Sequence, residues 1–271
     1  MPRPVTLTYA TWPTPAQVAA AAAQLFVDSA QVAVRTRGLA RIAISGGTTP
    51  KAMFQLLADP AQPFRDAIDW SRIELFWVDE RCVPPTDADS NYHMTDEALL
   101  SKVPLPPEHI FRMEGELDPE EAASRYESTL RNTFKLEGAE SPAFDLLLLG
   151  MGDDGHTASL FPHTPALHEL GRLAVANHVV QKETWRITLT WPVINQAREV
   201  SFLIEGDAKA AVLAEVLTGP YDPDRLPSQL IRPSNGELRF FLDDAAAARL
   251  PAPSNTLTSP GGSHRVGTLE L

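Results

Sequence analysis

The chain of 271 residues contains a single cysteine, Cys82, which excludes an intrachain disulfide framework and fits a reducing compartment. Positive charge is scarce. Lys and Arg number 23 against 35 Asp and Glu, for a formal net charge of -12 and a pI near 5.0. That balance argues against DNA, RNA or an anionic membrane as the main partner. It leaves room for a small anionic ligand, because a few clustered cations outweigh a distant field screened over about 8 to 10 Å. No apolar stretch approaches the roughly 20 residues of a membrane span. The opening MPRPVTLTYATWPTP lacks the apolar h-region of a signal peptide, so a cytoplasmic protein is expected. The P-loop pattern G-x-x-x-x-G-K-[ST] is missing, as are H-E-x-x-H and any cysteine pair beside the seven histidines, so neither a nucleoside triphosphate nor zinc is expected.

What is present is β/α alternation. Hydrophobic residues make up 44% and charged residues 21% of the chain, ordinary values for a globular protein able to bury a core. VTLTYA, RIAIS, RIELFWV, FDLLLLG, LAVANHVV, RITLTW, EVSFLIE and LRFFLD read as strands, several apolar throughout, as strands covered on both faces are. Helices are expected at about 15–37, 50–58, 89–101, 118–135, 207–218 and 243–249. The first places Val18, Ala22, Leu25, Ser29 and Val32 on one face and stops at Gly38. The pattern predicts one Rossmann-like α/β domain over 1–250, a doubly wound, mainly parallel sheet with helices on both faces. The segment 251–271, rich in Pro, Ser, Gly and Thr, is expected to be loosely ordered or to extend over the surface.

In such a sheet ligands bind beyond the carboxyl ends of the strands, and four post-strand turns carry unusual residues. Ser45, Gly46, Gly47 and Thr48 open SGGTTP, where Thr48 or Thr49 is a candidate cap and Pro50 a candidate first helical residue. The turn reads either as an ordinary strand-to-helix connection or as an anion cradle at a helix N-terminus. In WVDERCVPPTDADSNY, Asp79, Glu80 and Arg81 read either as a solvated loop or as an anion fork, Arg81, with carboxylates that orient or act as bases. Cys82 would need a partner histidine to serve as a nucleophile.

The third turn is LLLLGMGDDGHTASLFP, residues 146 to 162, in which Gly150, Gly152 and Gly155 match G-x-G-x-x-G. A dinucleotide site requires a long helix after those glycines, and Pro162 and Pro165 prevent one. His156 then reads either as structural or as a general base on the ligand side of the loop. In the fourth turn, EGDAKAAVL, Asp207 is a candidate N-cap and Lys209 falls in the first turn of a helix, where the dipole disfavours a cation unless an anion shares the site. Arg186, opening RITLTW after Lys182, is one more cation.

Together SGGTTP, WVDERCVPPTDADSNY, GMGDDGHTASLFP and RITLTWPVINQAREVSFLIEGDAKAAVL resemble, in order and spacing, the 6-phosphogluconolactonase family. That family lies within a broader group of sugar-phosphate isomerases and lactonases that includes glucosamine-6-phosphate deaminase. The deaminase pattern carries a glutamate before the proline of the histidine loop, where this chain has Phe161, and an aromatic residue where it has Arg81. The resemblance implies hydrolysis of 6-phospho-D-glucono-1,5-lactone to 6-phosphogluconate, without metal or organic cofactor, in a monomer or small homo-oligomer. It implies His156 as base, with Asp154 orienting or polarising the site. It also implies a substrate site drawn from Ser45, Gly46, Gly47, Thr48, Asp79, Arg81, Gly152, Arg186 and Lys209. A deaminase or isomerase, and a non-catalytic sugar-phosphate sensor, are the alternative readings.

Overall fold

Leu146 to Leu149 are buried at all four positions, and successive side chains serve different cores. Leu146 and Leu148 pack into one hydrophobic cluster while Leu147 and Leu149 pack into another, as the period of two requires of a strand covered on both faces. This strand is β6 (Leu146–Leu149) in a computed structural model that describes residues 5–253, 255–259 and 262–271. The chain runs β1 (Thr6–Trp12), α1 (Pro15–Arg37), β2 (Ala40–Ile44), α2 (Thr48–Ala58), β3 (Ile73–Trp77), β4 (Asp79–Arg81), α3 (Asn91–Ala98), β5 (Ile110–Phe111) and α4 (Pro119–Phe134) before β6. After it come β7 (Ala174–Val179), β8 (Thr184–Leu189), α5 (Trp191–Ile194), β9 (Glu199–Ile204), α6 (Ala210–Thr218), β10 (Glu237–Asp243), β11 (Asn255–Ser259) and β12 (Gly262–Glu270).

The main sheet has the order β11-β12-β1-β10-β9-β6-β2-β3-β5, and its seven strands from β1 to β5 in that order pair in parallel. Helices α1, α2 and α3 cover one face through Val18, Phe26, Phe54, Leu57 and Ala98. Helices α4, α5 and α6 cover the other through Tyr126, Leu130, Ile194, Leu213 and Val216. The chain travels outward from β2 to β3 and β5, then returns to β6 on the other side of β2 and moves away through β9 and β10. A crevice therefore opens beyond the carboxyl ends of β2 and β6, the usual ligand position in this architecture. The doubly wound, mainly parallel α/β fold matches the reading from sequence. Among the described residues no helix is long and apolar enough to cross a membrane.

Four details depart from expectation. Strands β7 and β8 belong to a separate three-stranded antiparallel sheet with β4. Only residues 180–183 join them, too few for the dozen or more that a parallel crossover needs. The C-terminal segment, expected to be loosely ordered or to extend over the surface, forms β11 and β12, and β12 pairs with β1 from Thr6 to Thr11. Val266, Thr268 and Leu269 suit a strand paired on both sides, by β11 and β1, and Gly267 leaves room for Tyr9, whose ring would lie 2.3 Å from a Cβ there. The buried face of α1 runs through Val18, Ala22, Phe26, Ala30 and Ala33, leaving Val32 44% exposed. Phe26 fills the space against the sheet and the alanines let the helix backbone close in behind it. Finally, the expected helix at 243–249 is a single 3-10 turn, Ala246–Arg249, which Pro251, two residues beyond it, keeps from extending.

Candidate active site

The turn after β2 delivers two glycines to the crevice for two different reasons. Gly47 has φ 117° and ψ 174°, a backbone region that only glycine occupies without strain. A Cβ on Gly46 would lie 1.8 Å from Asn91 Oδ1. Helix α2 then starts at Thr48 with no side-chain cap, so neither Thr48 nor Thr49 plays the capping part considered for it. Pro50 sits within the first turn rather than opening it. The uncapped N–H groups of this turn carry the positive end of the helix dipole, which suits an anion. The Ser45 hydroxyl beside them is buried and has no hydrogen-bond partner among the described residues.

The turn after β3 separates the two carboxylates of Asp79-Glu80. Glu80 points away from the crevice and accepts hydrogen bonds from the backbone N–H of Arg81 (2.7 Å), Asn91 (2.7 Å) and Tyr92 (2.8 Å) and from Ser90 Oγ (3.0 Å). Burial raises its carboxyl pKa against these four bonds, which favour the charged form. Glu80 thus anchors the start of α3, a structural duty rather than that of a base. Asp79 accepts from Ser159 Oγ at 2.7 Å, and Asn91 Nδ2 donates to its backbone carbonyl at 3.0 Å. Arg81 Nη1 donates to the Asp89 carbonyl at 2.6 Å, while its buried Nε has no partner among the described residues.

Arg81 on β4 stands directly opposite Arg186 on β8. Burial, then the charge of Arg81, lowers the Arg186 pKa. Two facing like charges oppose folding, and an anion between them would relieve that cost. Cys82 is half-buried away from this crevice, and burial, opposed by the charge of Arg186 and aided by Glu80 and Asp118, pushes its thiol up to about 11. A thiol so raised is a poor nucleophile at neutral pH.

The loop after β6 is held by its own backbone: Gly152 N–H donates to the His156 carbonyl at 2.8 Å and Thr157 Oγ1 to the Gly150 carbonyl at 2.8 Å. A Cβ on Gly152 would sit 2.0 Å from His156 Nδ1, so the glycine is what allows the imidazole to lie across the loop. His156 Nδ1 is 2.5 Å from Asp154 Oδ1. Burial alone would raise the Asp154 carboxyl, but hydrogen bonds from the ring and backbone of His156, with its charge, hold it at about 2. In the neutral tautomer that gives its Nδ1–H to the ionised Asp154, Nε2 is the free basic nitrogen. Phe161 stacks on the imidazole at 4.0 Å between ring centroids and 21° between planes. No long helix comes after these glycines; the chain makes bends and a short 3-10 turn, Pro165–His168.

The turn after β9 differs from its reading. Asp207 does not cap; it is the first residue of a 3-10 turn, Asp207–Lys209, that leads into α6, and α6 has no side-chain cap. The carboxylate of Asp243 accepts the Gly206 N–H instead. Lys209 faces the crevice and forms an ion pair with Asp153.

These turns enclose a cleft of about 340 Å³ lined by Ser45, Gly46, Gly47, Thr48, Asp79, Arg81, Gly152, His156 and Lys209. Of the residues read from sequence as site members, Asp154 and Arg186 alone stand behind this lining, each against a residue that belongs to it. Asn91 and Glu205 also line the cleft and were not anticipated. Burial raises the Glu205 carboxyl despite a hydrogen bond from Thr49. Neither residue has a local sequence signal; Asn91 reaches the cleft through α3 and Glu205 by ending β9. Among the described residues no three His, Cys, Asp or Glu side chains gather as metal ligands.

The chain is similar to known proteins. The family described as glucosamine-6-phosphate isomerases/6-phosphogluconolactonase matches residues 13–240. A 6-phosphogluconolactonase of Synechocystis sp. is 43% identical over 237 residues, covering 84% of this chain and 95% of its own. One from Haemophilus influenzae is 34% identical over 244 residues, covering 90% of this chain and 100% of its own. The structure of 6-phosphogluconolactonase from Trypanosoma cruzi superposes with a TM-score of 0.77 at 29% identity, covering 90% of this chain and 97% of that one. The chain belongs to the glucosamine-6-phosphate isomerase/6-phosphogluconolactonase family.

Proposed function

We propose that this enzyme hydrolyses 6-phospho-D-glucono-1,5-lactone to 6-phospho-D-gluconate, the second step of the oxidative pentose phosphate pathway. One observation carries the reading: a histidine bonded to an ionised aspartate shares its cleft with an uncapped helix N-terminus, Lys209 and Arg81. A base and an anion seat in one cleft suit a substrate with a phosphate at one end and an electrophilic carbonyl at the other. The names of the relatives support the same substrate.

In the proposed reaction the phosphate lies against Lys209, Arg81 with Arg186 behind it, and the N–H groups of the Ser45–Thr48 turn. Anchoring that end limits where the lactone carbonyl lies, which replaces an encounter with an intramolecular arrangement. Neutral His156, its Nδ1–H given to Asp154, takes a proton at Nε2 from a water as the water oxygen attacks the carbonyl carbon. Asp154 stabilises the imidazolium that forms, and backbone N–H groups of the glycine loop near Gly152 stabilise the oxyanion. Collapse of the tetrahedral intermediate breaks the bond to the ring oxygen, which recovers the proton from His156. Asp79, fixed by Ser159 and Asn91, faces the sugar hydroxyls as an acceptor.

Phe161 bears on the deaminase alternative. An aromatic ring stacked on the base leaves no carboxylate at the place where a deaminase keeps its ring-opening glutamate. The deciding assay follows loss of freshly generated lactone near pH 7, corrected for spontaneous hydrolysis, in parallel with ammonia release from glucosamine 6-phosphate. Enzymatic lactone loss without ammonia is expected. Ammonia release, or binding without turnover of either compound, would overturn the proposal.

A further inference from the structure

The glycine loop carries two adjacent carboxylates that face different partners. Asp154 holds His156, whereas Asp153 holds the ammonium of Lys209. Among the described residues Asp153 is the sole ion-pair partner of Lys209, whose side chain is only 24% exposed against 76% for Asp153. Lys209 also lies at the start of a helix with no side-chain cap, where the dipole works against a cation. An anion is therefore wanted at this place in the free protein, and the chain supplies one of its own from a solvent-facing side chain.

We propose that Asp153 is a specificity-determining residue, an internal anion that occupies the Lys209 seat until the substrate phosphate displaces it. The inference rests on the reading of Lys209 as a phosphate anchor. A phosphate monoester brings a charge of about -1.5 to -2 and three acceptor oxygens, so it displaces a single exposed carboxylate. The neutral hydroxymethyl group of an unphosphorylated lactone does not. Lys209 is thereby kept for ligands that carry the phosphate, at a cost in affinity for them. The same carboxylate returns to Lys209 as the product leaves, so the cation is never left without a counter-charge. An exposed ion pair moves an equilibrium by about two- to fivefold, and a nearby like charge adds repulsion against the arriving dianion.

A double-mutant cycle tests this, with KM for the lactone and competitive inhibition by inorganic phosphate as readouts. Asp153→Asn is expected to lower both the KM and the phosphate inhibition constant by about three- to tenfold, and Asp153→Ser to do the same. In the Lys209→Ala background Asp153→Asn is expected to change neither by more than about twofold. If Lys209→Ala raises both constants but Asp153→Asn leaves them unchanged, the displacement role of Asp153 falls while the phosphate anchor stands. An equal gain from Asp153→Asn with and without Lys209 would also overturn it, since the effect would then be one of general field. If Lys209→Ala moves neither constant, the underlying assignment of the phosphate site is what fails.

Discussion

The turn after β2 and the turn after β6 begin alike. Each leaves a buried strand through glycines, and the two strands are parallel neighbours, so both turns open on the same crevice. After β2 the chain enters helix α2 at once and offers the crevice only backbone N–H groups and small hydroxyls. After β6 it forms no helix, folds back through the Gly152-to-His156 hydrogen bond and offers an imidazole braced by a carboxylate. Gly47 serves the first turn through its backbone angle, whereas Gly46 there and Gly152 in the second turn serve through the absence of a Cβ where a side chain must pass. The difference teaches that a glycine pattern after a strand specifies close approach, while the residues on its C-terminal side decide what is offered to the crevice, which on the proposed mechanism is an anion seat in the first turn and a base in the second.

Removing the base breaks this division most severely. His156→Ala is expected to lower kcat by about 10²- to 10⁴-fold, the usual worth of a general base, with KM little changed because the anion seat is intact. Steady-state rates corrected for the uncatalysed reaction check this; a kcat within about threefold of wild type, on the order of the noise of that correction, would remove His156 from the chemistry.

Swapping alanine into each turn sharpens the comparison. Gly152→Ala places a Cβ 2.0 Å from the His156 ring and must push the imidazole aside, so a loss in kcat of about 10- to 100-fold is expected from misplacement alone. Gly47→Ala leaves the base untouched but strains the backbone at φ 117°, turning the α2 N–H groups away from the phosphate. Its KM is expected to rise about tenfold, as when one charge-assisted hydrogen bond of about 1.5 to 3 kcal/mol is weakened, and stability to fall by about 1 to 3 kcal/mol. Kinetics and urea melts of the two variants side by side check the split. If both change kcat equally, the two turns do not divide the work.

The two turns were not equally legible. Both glycine motifs could be read because each is local: strand, glycines and the next functional residue lie close together in the chain. The prolines at 162 and 165 were enough to exclude a dinucleotide helix. The features that escaped reading depend on contacts between distant segments. Asn91 matters because its amide meets Asp79 across the turn into α3. Ser159 matters because β6 and β3 end together and bring its hydroxyl to Asp79, 80 positions earlier. Apolar runs located β7 and β8 but not their sheet, since hydropathy fixes burial and not hydrogen-bond partners. Composition misjudged the last strand because its Ser and Gly content says nothing of a partner as distant in the chain as β1, with which it pairs. Asp207 failed as a cap because the turn begins at Asp207 itself, with Gly206 in the cap position.

The smallest expected effect probes the brace within the second turn. Asp154 is held at about 2 in the folded chain, below the ordinary value of about 3.9 that it recovers on unfolding. A depressed carboxyl pKa contributes stability that is complete above the unfolded value and is lost as pH falls toward the folded one. Because the side chain is 47% exposed, solvent screening reduces that contribution to the order of 0.5 to 1 kcal/mol. Asp154→Asn keeps the shape but not the charge, so its deficit against wild type should be constant from about pH 7 to 5 and shrink between about pH 4 and 3. Urea unfolding of both proteins across that range checks the prediction. Curves that stay parallel down to about pH 3 would mean that Asp154 orients His156 without being held ionised by it, and the proton-holding half of the dyad would have to be sought elsewhere in the cleft, with Asp79 the first candidate.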